Sequence, residues 1–447
     1  MGWHGAEVNT HPVEASKAGP ELPRSGALRT IFAACFGWLF SAVDIVLLVL
    51  FQRPVAESLG VDVQVIRVAI GVGLLGSAVG GIALAQLGDK YGRVRTLGWC
   101  VLIYSMATAG MGLARNADEL MAFRFVSGIG TGAEWSIGFA LIAEVHGTKG
   151  RGRLGGLVAA MFNLGTFIAI LLFQSQLGWR LAFGAMAAPA LVVLWLRMSV
   201  PESPVWTALQ ATRARGEVDP KLEAQFERMP ISMLFRRRLL GLTLKTTLLF
   251  VLMNFAFYSF STVFINYLQD DPARGGLGLD AHGQFAYQLA LNGGALIGVV
   301  AAGMASDKIG RRMAFAMFCL LGAAGSAWLY LITRDANGLP SHLILVFTIV
   351  VLGYGINGVV GTLMAELFPT HLRATGPGFC QNLGKGIGGM AGPPFVGLLA
   401  KAIGYPLVLA LPGVIVFALA GLIWLLPRVS GRELRPVEDD NYLSEKW

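Results

Sequence analysis

A short polar phrase occurs twice in this chain. Residues 88–93 read Gly-Asp-Lys-Tyr-Gly-Arg, and residues 306–311 read Ser-Asp-Lys-Ile-Gly-Arg. A second phrase, Ala-Glu-Val-His-Gly-Thr-Lys-Gly-Arg at 143–151, returns as Ala-Glu-Leu-Phe-Pro-Thr-His-Leu-Arg at 365–373. Both repeats are displaced by about half the chain, and both lie between long apolar runs. Repetition on this scale describes two copies of one membrane unit joined in the same orientation, an architecture built around a central path for a solute.

Twelve apolar runs fall near residues 29–51, 66–87, 97–114, 119–142, 155–175, 180–200, 240–268, 284–305, 313–333, 342–366, 377–401 and 406–427. About 20 apolar residues cross a bilayer as a helix. Hydrocarbon offers the backbone no hydrogen-bond partners, so each span must be helical. Charged residues are only 14% of the chain, against about 25% in soluble domains, and mean hydropathy is +0.61. The expected fold is an all-α membrane protein with twelve transmembrane helices in two pseudo-symmetric six-helix bundles. The expected divisions are an N-terminal tail over 1–28, a first bundle over 29–200, a connecting loop over 201–239 with an amphipathic helix across 217–229, a second bundle over 240–427 and a C-terminal tail over 428–447. The first tail is polar, with neither an apolar core nor a cleavage site of a signal peptide.

The net charge of +8 has a spatial pattern. Lys90, Arg93 and Arg95 follow span two, and Lys149, Arg151 and Arg153 follow span four. The connection after span six carries Arg213, Arg215, Lys221, Arg228, Arg236, Arg237 and Arg238. Lys308, Arg311 and Arg312 follow span eight. The opposite loops hold mostly single cations: Arg53, Arg115, Arg274 and Arg334. Positive charge collects on the cytoplasmic side, which puts both termini in the cytoplasm; the expected location is a bacterial inner membrane. The excess is a topology signal that meets anionic lipid heads; no nucleic-acid partner is expected. Cys35, Cys100, Cys319 and Cys380 fall in or beside spans, without the spacing of disulfides or zinc sites. No phosphate loop, metal set or cofactor motif is present. His146, His282, His342 and His371 lie in loops or at span ends and form no catalytic cluster, so the chain is not read as an enzyme. A monomer is expected.

The paired Asp-Lys-x-Gly-Arg loops resemble the loop signature of the major facilitator superfamily, and the resemblance runs from span one to residue 427. Residues 124–130, Arg-Phe-Val-Ser-Gly-Ile-Gly, resemble the fourth-span signature of sugar-porter-like members. Residues 201–204, Pro-Glu-Ser-Pro, resemble their motif after span six. Residues 132–135, Gly-Ala-Glu-Trp, resemble a motif of the organic-acid proton symporters of the sialate and lactate branch. Ala85 and Gly147 replace residues the family usually has as glycine and proline. Ser41 stands where that branch often places the first of two acids, leaving Asp44. Span seven lacks the His and Gln of lactate carriers, which argues against lactate itself.

Ionisable residues at membrane depth need a reason to be there. Asp44 lies late in the outward-running span one, and Arg124 early in the inward-running span four. At 1.5 Å per residue they reach similar depth and can meet. Such a pair is either a permanent ion pair or a proton switch whose carboxylate takes a proton when the pair opens. The resemblance implies the switch. Glu134, near the middle of span four, has no obvious basic neighbour; it is a second proton site, a neutral acid or a helix–helix hydrogen bonder. Lys385 lies more than two turns inside span eleven, too deep to snorkel, among Gly384, Gly386, Gly388 and Gly389. It holds an anionic solute, or it pairs with Glu134 or another acid for stability alone. The branch often has an arginine here, and the resemblance implies carboxylate binding. Gln381, Asn382, Asn254, Tyr258, Asn292, Tyr354, Asn357 and Asn163 are candidates to complete a pocket.

Asp89 with Arg93, Asp307 with Arg311, Glu144 with Arg151 and Glu366 with Arg373 sit at cytoplasmic span ends. They are expected to form a gate, intact when the inner side is shut. Together these residues predict a secondary carrier that brings in a small organic anion with a proton by alternating access. The competing readings are a sugar or polyol symporter, an exporter of organic compounds and a non-transporting membrane sensor.

Overall fold

The computed structural model describes residues 24–146, 150–175, 177–189, 191–192, 200–216, 230–279, 281–334 and 353–428. Its elements are helical, and eight of the described helices are long and apolar enough to cross a membrane. Span one is Arg24–Leu50, so the helix starts inside the stretch expected as tail. Span two is Val63–Tyr91 and span three Arg93–Met111. Span four is two helices, Ala117–Gly132 and Glu134–Val145, joined at Ala133. Span five is Arg151–Gln174. Of the run expected as span six, Trp179–Gly184 is a helix, and residues 193–199 lie outside the described residues. Pro204–Ala214 and Pro230–Leu234 lie in the connection; the amphipathic helix expected over 217–229 falls outside the described residues.

The second half repeats the plan with span seven at Arg237–Gln269, span eight at Ala281–Ile309 and span nine at Arg311–Arg334. Span ten is described at its end, Asn357–Leu367. Span eleven comprises Thr375–Gly384, a π-helical turn over Lys385–Gly389, and Met390–Ile403. Span twelve is Tyr405–Leu422.

The repeated loop shows why its glycine recurs. Gly92 has φ 109° and Gly310 has φ 87°, values that disfavour a side chain. Each lets one helix end and the next begin within a residue. Small residues also set the helix contacts. A Cβ on Gly80 of span two would lie 2.5 Å from the Ile129 Cα of span four. One on Gly384 of span eleven would lie 2.6 Å from the Phe250 Cβ of span seven. Without these side chains the backbones approach and pack.

Within the first half, span one packs on five and span two on four; in the second, span seven packs on eleven and nine on twelve. Between halves, span two meets eleven and span five meets eight. Shifting by six spans turns the first contact into the second, so the interface carries the twofold relation written in the repeats. The largest apolar core, which includes Phe139, Phe250, Phe315 and Phe368, spans both halves.

Candidate functional site

Buried polar residues form four groups: Asp44 with Arg124, and Glu134, lie inside the first half, while Lys385 and the charges at the basic loops lie where the halves meet. For clarity, the end with the basic loops is called the basic end.

The structure brings Asp44 and Arg124 together. Nη1 of Arg124 stands 3.1 Å from Oδ2 of Asp44, and both are at most 3% exposed. Arg124 also donates to the Asp44 carbonyl at 3.2 Å. The carboxylate is not held by the guanidinium alone. Ser127 Oγ lies 2.8 Å from each of its oxygens, and Thr108 donates to Oδ1. Ser127 is three residues past Arg124 and therefore shares its helical face. Sequence reasoning missed Ser127 and Thr108; the spacing to Arg124 signalled the first, and nothing distinguished the second. Gly73 of span two leaves the space that Arg124 occupies, and among the described residues Arg124 Nε has no hydrogen-bond partner.

Glu134 begins the helix after the Ala133 break and is 2% exposed. Among the described residues neither carboxylate oxygen makes a hydrogen bond of normal geometry, although the Ser41 hydroxyl of span one lies near enough to interact with Glu134. Its carboxylate presses on Gly37 of span one, where any side chain would collide with it. Trp135 packs at a tilt against Phe139 and edge-on against Phe250, with centroids 5.1 and 5.6 Å away. Among the described residues no ion pair joins Glu134 to Lys385. An orphaned buried acid of this kind is a high-energy arrangement if ionised, which suits a group that carries a proton.

Lys385 opens the π turn of span eleven. Pro393 and Pro394 lie just beyond and cannot donate to carbonyls one turn back. The carbonyls that lose their helical donor, Gly389 and Met390, border the π turn, a distortion often found at functional sites. Lys385 is half-buried, and its Nζ reaches the Ser77 hydroxyl of span two at 3.4 Å. Gln381 lies one turn earlier and accepts from Asn254 of span seven at 3.4 Å; Asn254 also donates to Phe250 O at 2.8 Å. The Tyr258 ring lies against Gly389, 2.9 Å from where a Cβ would stand. Lys385, Gln381, Asn254 and Tyr258 thus share the contact of spans seven and eleven.

The other candidates are placed differently. Asn382 is 1% exposed and inserts into the first bundle, where it donates to Gly132 O at 2.9 Å and accepts from Ser77 at 3.2 Å. Tyr354 donates to Ala256 O at 3.1 Å and packs among Phe257 and Phe260. Asn292 and Asn357 donate to carbonyls of their own helical segments, Gln288 at 2.9 Å and Tyr354 at 3.1 Å. Asn163 is buried in span five. Asn382 and Tyr354 have their hydrogen bonds committed to helix packing.

At the basic end the gate residues form one charged layer, with pairings that cross between halves. Glu144 binds Arg93 at 3.1 Å and Arg373 at 3.0 Å, while Glu366 binds Arg151 at 3.2 Å and Arg311 at 3.1 Å. Pairing by neighbourhood in sequence, Glu144 with Arg151 and Glu366 with Arg373, is therefore replaced by exchange. The twofold relation faces each span end with the loop of the other half. Asp89 pairs with Arg93 at 3.0 Å and accepts from Thr375 N at 2.8 Å and Ala374 N at 3.2 Å. Asp307 pairs with Arg311 at 2.8 Å and accepts from Gly152 N and Arg153 N, both at 2.8 Å. Each aspartate thus caps a helix of the opposite half, where free amides and the helix dipole favour an anion. Glu202, in the Pro-Glu-Ser-Pro segment, caps span three through Arg93 N at 2.8 Å and Val94 N at 3.0 Å. Removing one partner from a buried pair costs about 3–5 kcal/mol, well above the value of an exposed helix-end charge.

The model of the Major Facilitator Superfamily matches residues 30–380 and 284–442. The sialic acid transporter NanX of Escherichia coli (strain K12) is 26% identical over 369 residues, covering 82% of this chain and 85% of that protein. The cis,cis-muconate transport protein of Acinetobacter baylyi is 28% identical over 333 residues, 73% of this chain and 76% of that protein. Among solved structures, the proton:xylose symporter XylE with bound 6-bromo-6-deoxy-D-glucose superposes with a TM-score of 0.76 at 18% identity, covering 92% of this chain and 98% of that one. The fold, the duplicated loops and the length of the family match agree: this chain belongs to the Major Facilitator Superfamily and is a membrane transporter, not an enzyme.

Proposed function

We propose that this transporter carries a small organic anion together with a proton into the cell, across the bacterial inner membrane, with its basic end and both termini in the cytoplasm. The observation that carries this reading is Lys385: a half-buried ammonium at a π turn in mid-span, with a neutral hydroxyl as its polar neighbour and, among the described residues, no carboxylate paired to it. A carboxylate solute supplies the missing charge. Gln381, Asn254 and Tyr258 flank it with amide and phenol groups and an aromatic face. The two relatives named above are named for sialic acid and cis,cis-muconate, both carboxylates.

The proton belongs on Asp44. Ser127 and Thr108 can still hold the carboxyl group once it is protonated, so Arg124 is free to lose its partner without leaving the acid stranded. Glu134 offers a second proton position. The charged layer at the basic end is intact, which supports reading this conformation as one shut on that side.

Reconstitution into proteoliposomes tests this. Uptake of benzoate, nicotinate, cis,cis-muconate, sialic acid and xylose is compared with and without an imposed inward proton gradient. Carboxylates should accumulate faster under the gradient, and Lys385→Gln should weaken their transport by roughly 10–100-fold, the value of a charge-assisted hydrogen bond. Xylose uptake that survives Lys385→Gln, with no carboxylate transported by the parent protein, would replace this reading with a sugar symporter.

A further inference from the structure

Ser77 and Asn382 carry no solute or proton in the scheme above, yet they link the lysine to the closure of the two halves. Asn382 leaves span eleven and enters the first bundle, where Gly81 provides space. Its nitrogen donates to Gly132 O at 2.9 Å and to Gly378 O at 2.8 Å, and its oxygen accepts from Ser77 Oγ at 3.2 Å. Ser77 Oγ in turn accepts from Lys385 Nζ at 3.4 Å. A hydroxyl has one proton and two lone pairs, so it can accept from the ammonium and donate to the amide at once. A charged donor polarises the hydroxyl and strengthens the bond that the hydroxyl itself donates.

We infer that Ser77 is a relay through which an anion arriving at Lys385 loosens the contact between the halves. The inference rests on the anion site proposed above. In the empty carrier, the ammonium holds Ser77, Ser77 holds Asn382, and span eleven stays against spans two and four. A carboxylate draws the ammonium toward itself. Ser77 then loses its charged donor, its bond to Asn382 weakens, and Asn382 falls back on Gly378 within its own helix. The loaded carrier therefore opens at the basic end more readily than the empty one. An empty carrier that stays shut does not leak protons.

The test uses the full-length protein with spin labels on Lys90→Cys and Lys308→Cys, exposed residues at the basic ends of opposite halves. Cys35, Cys100, Cys319 and Cys380 are buried and compete little for label. Electron–electron distance measurements without solute report the separated population. Ser77→Ala, Asn382→Ala and Lys385→Gln should each raise it about three- to tenfold, the weight of one hydrogen bond. Lys385 acts through Ser77, so adding Lys385→Gln to Ser77→Ala should give no further increase. Additive effects, or an unchanged distribution in Ser77→Ala, overturn the relay. Ser77→Ala removes a single oxygen, so it carries the test even if Asn382→Ala fails to fold. If Lys385→Gln transports carboxylates at the parental rate, the anion site fails and the trigger with it, whereas additivity removes the relay alone.

Discussion

Asp44 is held by three side chains, and only one of them is charged. Asp44→Asn keeps a group that Ser127 and Thr108 can bond, so the protein should fold. It should lose acceleration by a proton gradient, a coupling that typically amounts to about 5–150-fold. Exchange of labelled for unlabelled solute across the membrane needs no net proton movement and should persist; loss of both would show that the pair is structural. Glu134→Gln replaces an acid with an amide of the same shape at a site where, among the described residues, neither oxygen makes a hydrogen bond of normal geometry. Its melting temperature should match that of the parent, while a marked fall would mean that the carboxylate is ionised and held by a group the structure does not pair with it. The meeting of Asp44 and Arg124 was legible in the sequence because both lie the same distance from the ends of adjacent, oppositely running spans. The placement of Asn382 was not. One residue on a helix decides between facing the solute path and facing a neighbour, and polar type alone does not reveal it.

Span eleven contains the departure from regular helix that positions Lys385. A π turn takes an extra residue, which rotates everything before it relative to everything after it. Pro393→Ala together with Pro394→Ala would restore helical donors to the Gly389 and Met390 carbonyls and stiffen the helix at the edge of the π turn, favouring regular helix there. The double variant should be more stable to heat but bind carboxylate more weakly, seen as a raised half-saturation concentration at an unchanged maximal rate. Raised affinity would mean that the turn is incidental. The run 377–401 and its proline pair showed that a helix lies here and that it bends. The turn itself was illegible, because four of the five residues before Met390 are glycine or lysine and leave no apolar periodicity from which to read a change of register. The Ala133 interruption of span four is hidden for the same reason, since small residues flank it on one side.

The two halves repeat each other, and equivalent lesions should act alike. Asp89→Asn and Asp307→Asn each weaken the cap of a helix in the opposite half. Both should destabilise the shut state and speed labelling of thiols introduced into the central path. Asp89 should have the larger effect, because its side chain is 2% exposed against 19% for Asp307, and solvent compensates the second. Equal effects would show that burial does not set the strength of these caps. The duplication was legible from two repeated phrases. The exchange of partners was not: a repeat states which residues are equivalent, while the axis relating the halves decides which of them touch.

The reciprocal aspartates also mean that each half leans on the other. Asp89 of the first half caps the helix that starts at Thr375, and Asp307 of the second caps the helix that starts at Arg151. A half cut away from its partner would leave an acid without those amides and a row of amides without that acid. The peptide joining the copies keeps a one-to-one ratio between two surfaces that each need the other.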